Sequence, residues 1–187
     1  EPKKTAEFLR QKFGSKFFKF LVTIHPDNIA GELAGKGSNE TWAGKRVKEE
    51  VIDPLHLPYE KIIVSVFDVD TNVWEQYFAL LTHKYISHPN PERASFQPVS
   101  IFTNNIWEAP ALARVVSFSS TFWLTMQQER PERQVTFSSH SMSFKTLVEV
   151  AFWQSNIVSE DSRIFWQCYN FYNGNYEISK DEEVIIN

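Results

Sequence analysis

Two kinds of apolar run alternate along the chain: runs spaced at three to four residues predict helices, and short continuous runs predict strands. Ala6, Phe8, Leu9 and Phe13 place a helix over Thr5 to Phe13, which Gly14 stops. Phe17 to Ile24 is apolar and β-branched towards its end, and His25-Pro26-Asp27-Asn28 closes it as a turn does, so a buried strand is predicted. A glycine-bearing loop from Gly31 to Gly37 leads into Ser38-Asn39, small polar residues that open a helix running to about Val51. Asp53-Pro54 and Leu57-Pro58 then break the chain before Lys61 to Phe67, whose unbroken apolar run suits a strand covered on both faces.

Val73, Trp74, Tyr77, Phe78, Leu80 and Leu81 mark one face of a further helix. His88 to Arg93 reads as a loop, Phe96 to Phe102 as a strand, and Ala109 to Gln128 as a long helix opened by Pro110. The remainder predicts a strand at Gln134 to Phe137, a helix from Phe144 to Phe152, and a second helix opened by Ser159-Glu160-Asp161. The turn Asn173-Gly174 follows, leading into Tyr176-Glu177-Ile178. The aromatic sets Trp74/Tyr77/Phe78 and Phe118/Phe122/Trp123 stand at helical spacing and are expected in the core. With no internal repeat or linker, the alternation predicts a single α/β domain over residues 1–187 with a largely parallel sheet.

Composition narrows the function classes. The formal charge is −4, from 19 Lys and Arg against 23 Asp and Glu, and no basic face of the kind that neutralises phosphate backbones stands out, so nucleic acid is not an expected partner. No apolar stretch approaches the roughly 20 residues of a membrane span, and the chain as given is expected to be soluble. Cys168 is the only cysteine and sits in Trp166-Gln167-Cys168-Tyr169, where a small buried hydrophobe is expected. The five histidines show neither paired metal-ligand spacing nor a G-x-S-x-G elbow, which argues against zinc and serine-hydrolase chemistry.

Three segments carry candidate chemistry. Asp68-Val69-Asp70 follows a strand directly, at the sheet edge where open α/β folds bind ligands. Its two carboxylates suit a shared Mg²⁺ or Mn²⁺; equally, Asp70 can cap the next helix while Asp68 is solvated. Ser159-Glu160-Asp161 is either a helix cap or the seat of a general base, Asp161. Gly35-Lys36-Gly37-Ser38-Asn39 joins a cation to a helix N-terminus, which suits an anion, although a surface loop with a solvated lysine has the same composition. His140, in Ser138-Ser139-His140-Ser141, reads either as a site residue or as an ordinary hydrogen-bonded histidine.

The order of these segments resembles family-2-type glycosyltransferases of the GT-A fold. Gly35-Lys36 with Asn39 comes first, then Ile63 to Thr71 with Asp68-Val69-Asp70, then Phe137 to His140 with Phe144-Lys145, then Ser159-Glu160-Asp161. The similarity runs from about Phe17 to Ile178 and is nearest to the membrane-associated branch of cellulose and hyaluronan synthases. The resemblance implies that Asp68 and Asp70 face the nucleotide-diphosphate sugar and its metal. Asp161 would be the catalytic base with Glu160 as its supporting neighbour, and Lys36 and Asn39 would belong to the donor side. It implies an inverting transfer to a carbohydrate acceptor; a non-catalytic GT-A-like carbohydrate-binding or assembly domain is the alternative. The family's first nucleotide-binding strands and its Q-x-x-R-W motif have no counterpart here. The chain is therefore expected to be the middle of a longer enzyme at the cytoplasmic face of a membrane, touching the membrane only through segments outside the chain. A sheet without its first strands exposes an edge, so self-association is also expected.

Overall fold

The helix expected at the start forms as α1 (Pro2–Phe13), but the strand expected at Phe17 to Ile24 does not. Phe17 has extended backbone, yet among the described residues the run has no pairing strand, and Phe17, Phe18 and Ile24 are exposed. An apolar β-prone run becomes a strand only when another supplies its ladder. Helix α2 (Lys36–Val47) continues into a π-turn over Lys48–Ile52, where the Asp53 N–H donates to the Lys48 carbonyl at 2.9 Å.

The computed structural model describes residues 2–179, 185 and 186, and divides the chain into two units. The first joins the chain up to Pro58 to Phe152–Glu160. Within it, α2 sits hard against the later segment. A Cβ on Gly37 would lie 2.8 Å from Cβ of Glu160, and one on Gly44 would lie 2.9 Å from Cδ1 of Phe152. Thr41 Oγ1 donates to the Trp153 carbonyl at 2.6 Å, and the Leu33 N–H to the Ser155 carbonyl at 2.8 Å. These bonds satisfy backbone groups that burial would otherwise strand.

The second unit, Tyr59–Ala151 with the residues from Asp161 on, holds the sheet. Its strands are β1 (Ile63–Ser65), β2 (Ala94–Phe96), β3 (Val99–Ser100), β4 (Ser141–Ser143), β5 (Glu177–Ser179) and β6 (Ile185–Ile186). Four of them run in the order β1-β4-β2-β5, and β3 pairs with β6 in a separate parallel ribbon. Because β1–β4 and β4–β2 are antiparallel and only β2–β5 is parallel, the fold is α/β with a mixed sheet, which corrects the expectation of a largely parallel one. The cause is β4. The strand expected at Gln134 to Phe137 is absent, and Ser141–Ser143 instead inserts between β1 and β2 and runs against both. The strand expected over Phe96 to Phe102 is split into β2 and β3 around Pro98, which has no N–H for a ladder.

Helices α3 (Tyr77–Ser87), α4 (Ala111–Gln127), α5 (Phe144–Glu149) and α6 (Glu160–Phe171) complete the element list. The core joins Tyr77, Leu81 and Tyr85 of α3 to Ala94 and Phe96 of β2, with Ile63 and Phe67 packed against them. Met142, Phe144, Leu147, Ile164 and Cys168 are almost wholly enclosed. Two expected core sets are corrected: Trp74 and Phe78 are exposed beside buried Tyr77, and Phe118, Phe122 and Trp123 are all exposed. Helix α4 turns its small polar residues Ser117, Ser120 and Thr121 inwards, so the apolar residues between them face out. No described helix is long and apolar enough to cross a membrane.

Candidate functional site

Antiparallel pairing of β1 with β4 builds the site. Ser65 stands opposite Ser141, their hydroxyls 2.7 Å apart, and the Val66 N–H donates to the His140 carbonyl at 2.9 Å. Continuing that register beyond Ser65 and back before Ser141 brings Asp68 opposite Ser138, and the Ser138 hydroxyl donates to Asp68 Oδ2. The end of a strand and a loop distant in sequence thus meet through a charge-assisted hydrogen bond.

The loop from Thr136 to His140 is fastened along its length. Gln97, fully buried, accepts from the Phe137 N–H at 2.9 Å through Oε1, and its Nε2 faces the carbonyls of Ser138 and Pro98 at 3.4 and 3.2 Å. Ser139 takes the left-handed backbone, φ 66°, that glycine adopts without cost; its hydroxyl is 3.2 Å from that of Thr71. A serine is thus held in the backbone conformation that glycine favours.

At the far end of the loop, Thr136 Oγ1 donates to the Asp161 carbonyl at 2.5 Å, fixing the first turn of α6. His140 is completely buried, with Nδ1 3.2 Å from the Phe137 carbonyl. A carbonyl only accepts, so the proton sits on Nδ1. Asp161 Oδ1 lies 3.9 Å from the same nitrogen, too far for a hydrogen bond. The Asp161 side chain keeps one-fifth of its surface open.

The candidate residues therefore separate by unit. Asp68 and Asp161 flank one loop of the second unit, and Asp70 stands exposed on the turn after β1, its carbonyl accepting from Asn104 Nδ2 at 2.8 Å. Lys36 and Asn39 belong to the first unit, at the start of α2. Lys36 Nζ is 3.6 Å from Glu40 Oε1, and the Asn39 N–H reaches the Gly35 carbonyl at 3.3 Å. Glu160, almost wholly buried, carries the methylenes against which Gly37 packs.

As metal ligands, Asp68 and Asp70 offer hard oxygens, and among the described residues no third acidic, histidine or cysteine side chain completes a ligand set with them. Carboxylate oxygens are the donor type that Mg²⁺ and Mn²⁺ take.

Sequence reasoning missed Gln97 and Thr136, which carry most of the loop's positioning. Neither stands in a motif, and Pro98 beside Gln97 was the one sign that the strand there is interrupted. Set against protein-family models, curated proteins and solved structures, the chain matches none.

Proposed function

We propose that the protein is an inverting glycosyltransferase, moving a sugar from a nucleotide-diphosphate sugar to a hydroxyl acceptor, and that its mixed sheet belongs to a GT-A-like arrangement. The observation that carries the reading is the convergence of Asp68 and Asp161 on the Thr136–His140 loop. The family pattern needs a donor-side carboxylate and a base near one another, and nothing in their local sequence requires it.

In this reading the acceptor hydroxyl gives its proton to the Asp161 carboxylate as its oxygen forms the bond to the anomeric carbon. The bond from that carbon to the diphosphate oxygen breaks, and the electron pair leaves with the nucleoside diphosphate. Asp68 and Asp70 would hold a Mg²⁺ or Mn²⁺, which would supply positive charge against that of the leaving group. Ser138 orients Asp68, and Thr136 sets the turn from which Asp161 projects. The resemblance also assigns the protein to the cytoplasmic face of a membrane.

The test is release of nucleoside diphosphate by the full-length protein from a panel of nucleotide sugars with Mn²⁺. Asp161→Asn is expected to lower turnover about 10²–10⁴-fold, the usual contribution of a positioned base, while donor binding by titration calorimetry persists. Undiminished turnover in that variant removes Asp161 as base. No turnover with any donor by the wild type leaves the non-catalytic carbohydrate-binding or assembly domain.

A further inference from the structure

One helical turn beyond Asp161, α6 borders a second cleft, of about 490 Å³, whose walls are mixed polar and apolar. Phe165 and Tyr169 are stacked, with centroids 6.0 Å apart and planes 26° from parallel. Trp166 stands nearly square to Tyr169, at 5.7 Å and 77°. The result is an aromatic corner whose outer members, Trp166 and Tyr169, remain 44% and 38% exposed. The corner is held in place from behind: the Gly174 N–H donates to the Tyr169 carbonyl at 2.8 Å, and Gly174, at φ 84°, lets the turn fold close to the tyrosine ring.

Across from the aromatics, Gln134 and Arg133 line the same cleft. Gln134 is only 7% exposed, and its buried Oε1 has no hydrogen-bond partner. A buried acceptor left unmatched is costly, so a hydroxyl donor reaching the Gln134 amide from this cleft would relieve that cost. Gln134 also borders a larger cavity beside α4, but that space is mostly hydrocarbon and suits a hydroxylated ligand poorly.

The geometry points to a binding site for a pyranose ring of a glycan chain. Sugar rings are two-sided: their C–H faces lie against aromatic planes while their equatorial hydroxyls point outwards as donors and acceptors. This cleft offers the matching pair of surfaces, the Trp166–Tyr169 corner for the ring face, with Gln134 Oε1 to accept from a hydroxyl and Arg133 to donate to one. A planar cation, the other common guest of aromatic corners, is disfavoured by the guanidinium in the wall. The position also fits the acceptor. Gln134 lies two residues before Thr136, which fixes Asp161, and Phe165 follows Asp161 by one turn of α6. The assignment as acceptor subsite rests on the glycosyl-transfer reading; the binding of a glycan does not.

The experiment is calorimetric titration of the full-length protein with cellohexaose, chitohexaose and maltohexaose, with no nucleotide sugar present. At least one is expected to bind saturably, and Trp166→Ala and Tyr169→Ala are each expected to weaken it about tenfold or more, a loss of about 1.4 kcal/mol. Both side chains are partly exposed, and unchanged thermal melting is checked for each variant. Trp166→Phe, which keeps a stacking face, should recover most of the affinity even if the alanine variant melts early. Failure of all three oligosaccharides to bind overturns the site, as does binding that Trp166→Phe and both alanine variants leave unchanged. Turnover of donor without glycan binding sinks only this site, whereas glycan binding without turnover sinks only the transferase reading.

Discussion

Helices α4 and α6 are both rich in large apolar side chains, and they do opposite things with them. Along α6, Ile164, Phe165 and Cys168 share one face and are buried, with Tyr172 enclosed just beyond the helix end, although Glu160, Asp161 and Arg163 charge its first turn. Along α4, Arg114 is the only charged residue, yet Leu124 is its one buried residue among those described, and Leu112, Val115, Val116, Phe118, Phe122, Trp123 and Met126 are exposed. What decides burial is phase rather than amount: apolar residues help the fold only where they fall on the face that meets the sheet. The difference also bears on where the proposed site sits. A helix locked on one face can hold Asp161 and the aromatic corner in fixed positions, and α6 is that helix.

The strongest way to break this contrast is alkali. Burial pushes the Cys168 thiol up from its ordinary 9.0 to about 12, and raises the hydroxyls of Tyr176 and Tyr172, the latter helped by donation to Glu149. In each case the folded state holds its proton more tightly than the unfolded chain. The stability this represents is complete below the ordinary value and is lost as pH rises towards the folded one. At about 1.4 kcal/mol per unit of separation, Cys168 alone accounts for a few kcal/mol. The urea midpoint is expected to fall steadily from 9.0 towards about 12, and a flat midpoint would show that α6's buried face is open to water. The same burial predicts that Cys168 resists thiol reagents until the protein unfolds.

Ile164→Ala comes next. Ile164 is wholly enclosed, so truncation leaves a cavity and is expected to cost about 2–5 kcal/mol by denaturant titration. Close behind is Gln97→Leu, which leaves the Phe137 N–H without its acceptor at a cost of about 1–3 kcal/mol. Gln97 touches no proposed substrate, so its loss is expected to appear at the site as well, as a lower turnover with little change in donor affinity. Equal losses of stability and donor binding would make it a general packing residue.

How far the sequence disclosed this arrangement follows the same logic. Among the described residues, periodicity found α1, α2, α4 and α6 within a few residues, because each has a repeating face; the helix expected from Val73 begins only at Tyr77 and runs on to Ser87, and α5 ended early, at Glu149 rather than Phe152. It found the strand before Asp68 from its continuous apolar run. It failed at Phe17 to Ile24 and at β4, and for one reason: a strand depends on its neighbour. Ser141–Ser143 has little β propensity, and its burial comes from the strands on either side. The acidic candidates could be singled out because they stand at element ends. Gln97 and Thr136 could not, since their role comes from bonds to segments remote in sequence.

The smallest expected effect is the sharpest check on α4. If its apolar face is truly unburied, replacing Phe122 with Ser or Val116 with Thr removes no packing and should shift stability by no more than about 0.5 kcal/mol, against the several kcal/mol expected at Ile164. Both positions lie well inside α4 and are more than half exposed, so little packing is lost, and the change in helix propensity is small. A cost of about 2 kcal/mol or more at either position would mean that another part of the protein covers this face. The contrast between the two helices would then be one of partners, with phase no longer its cause.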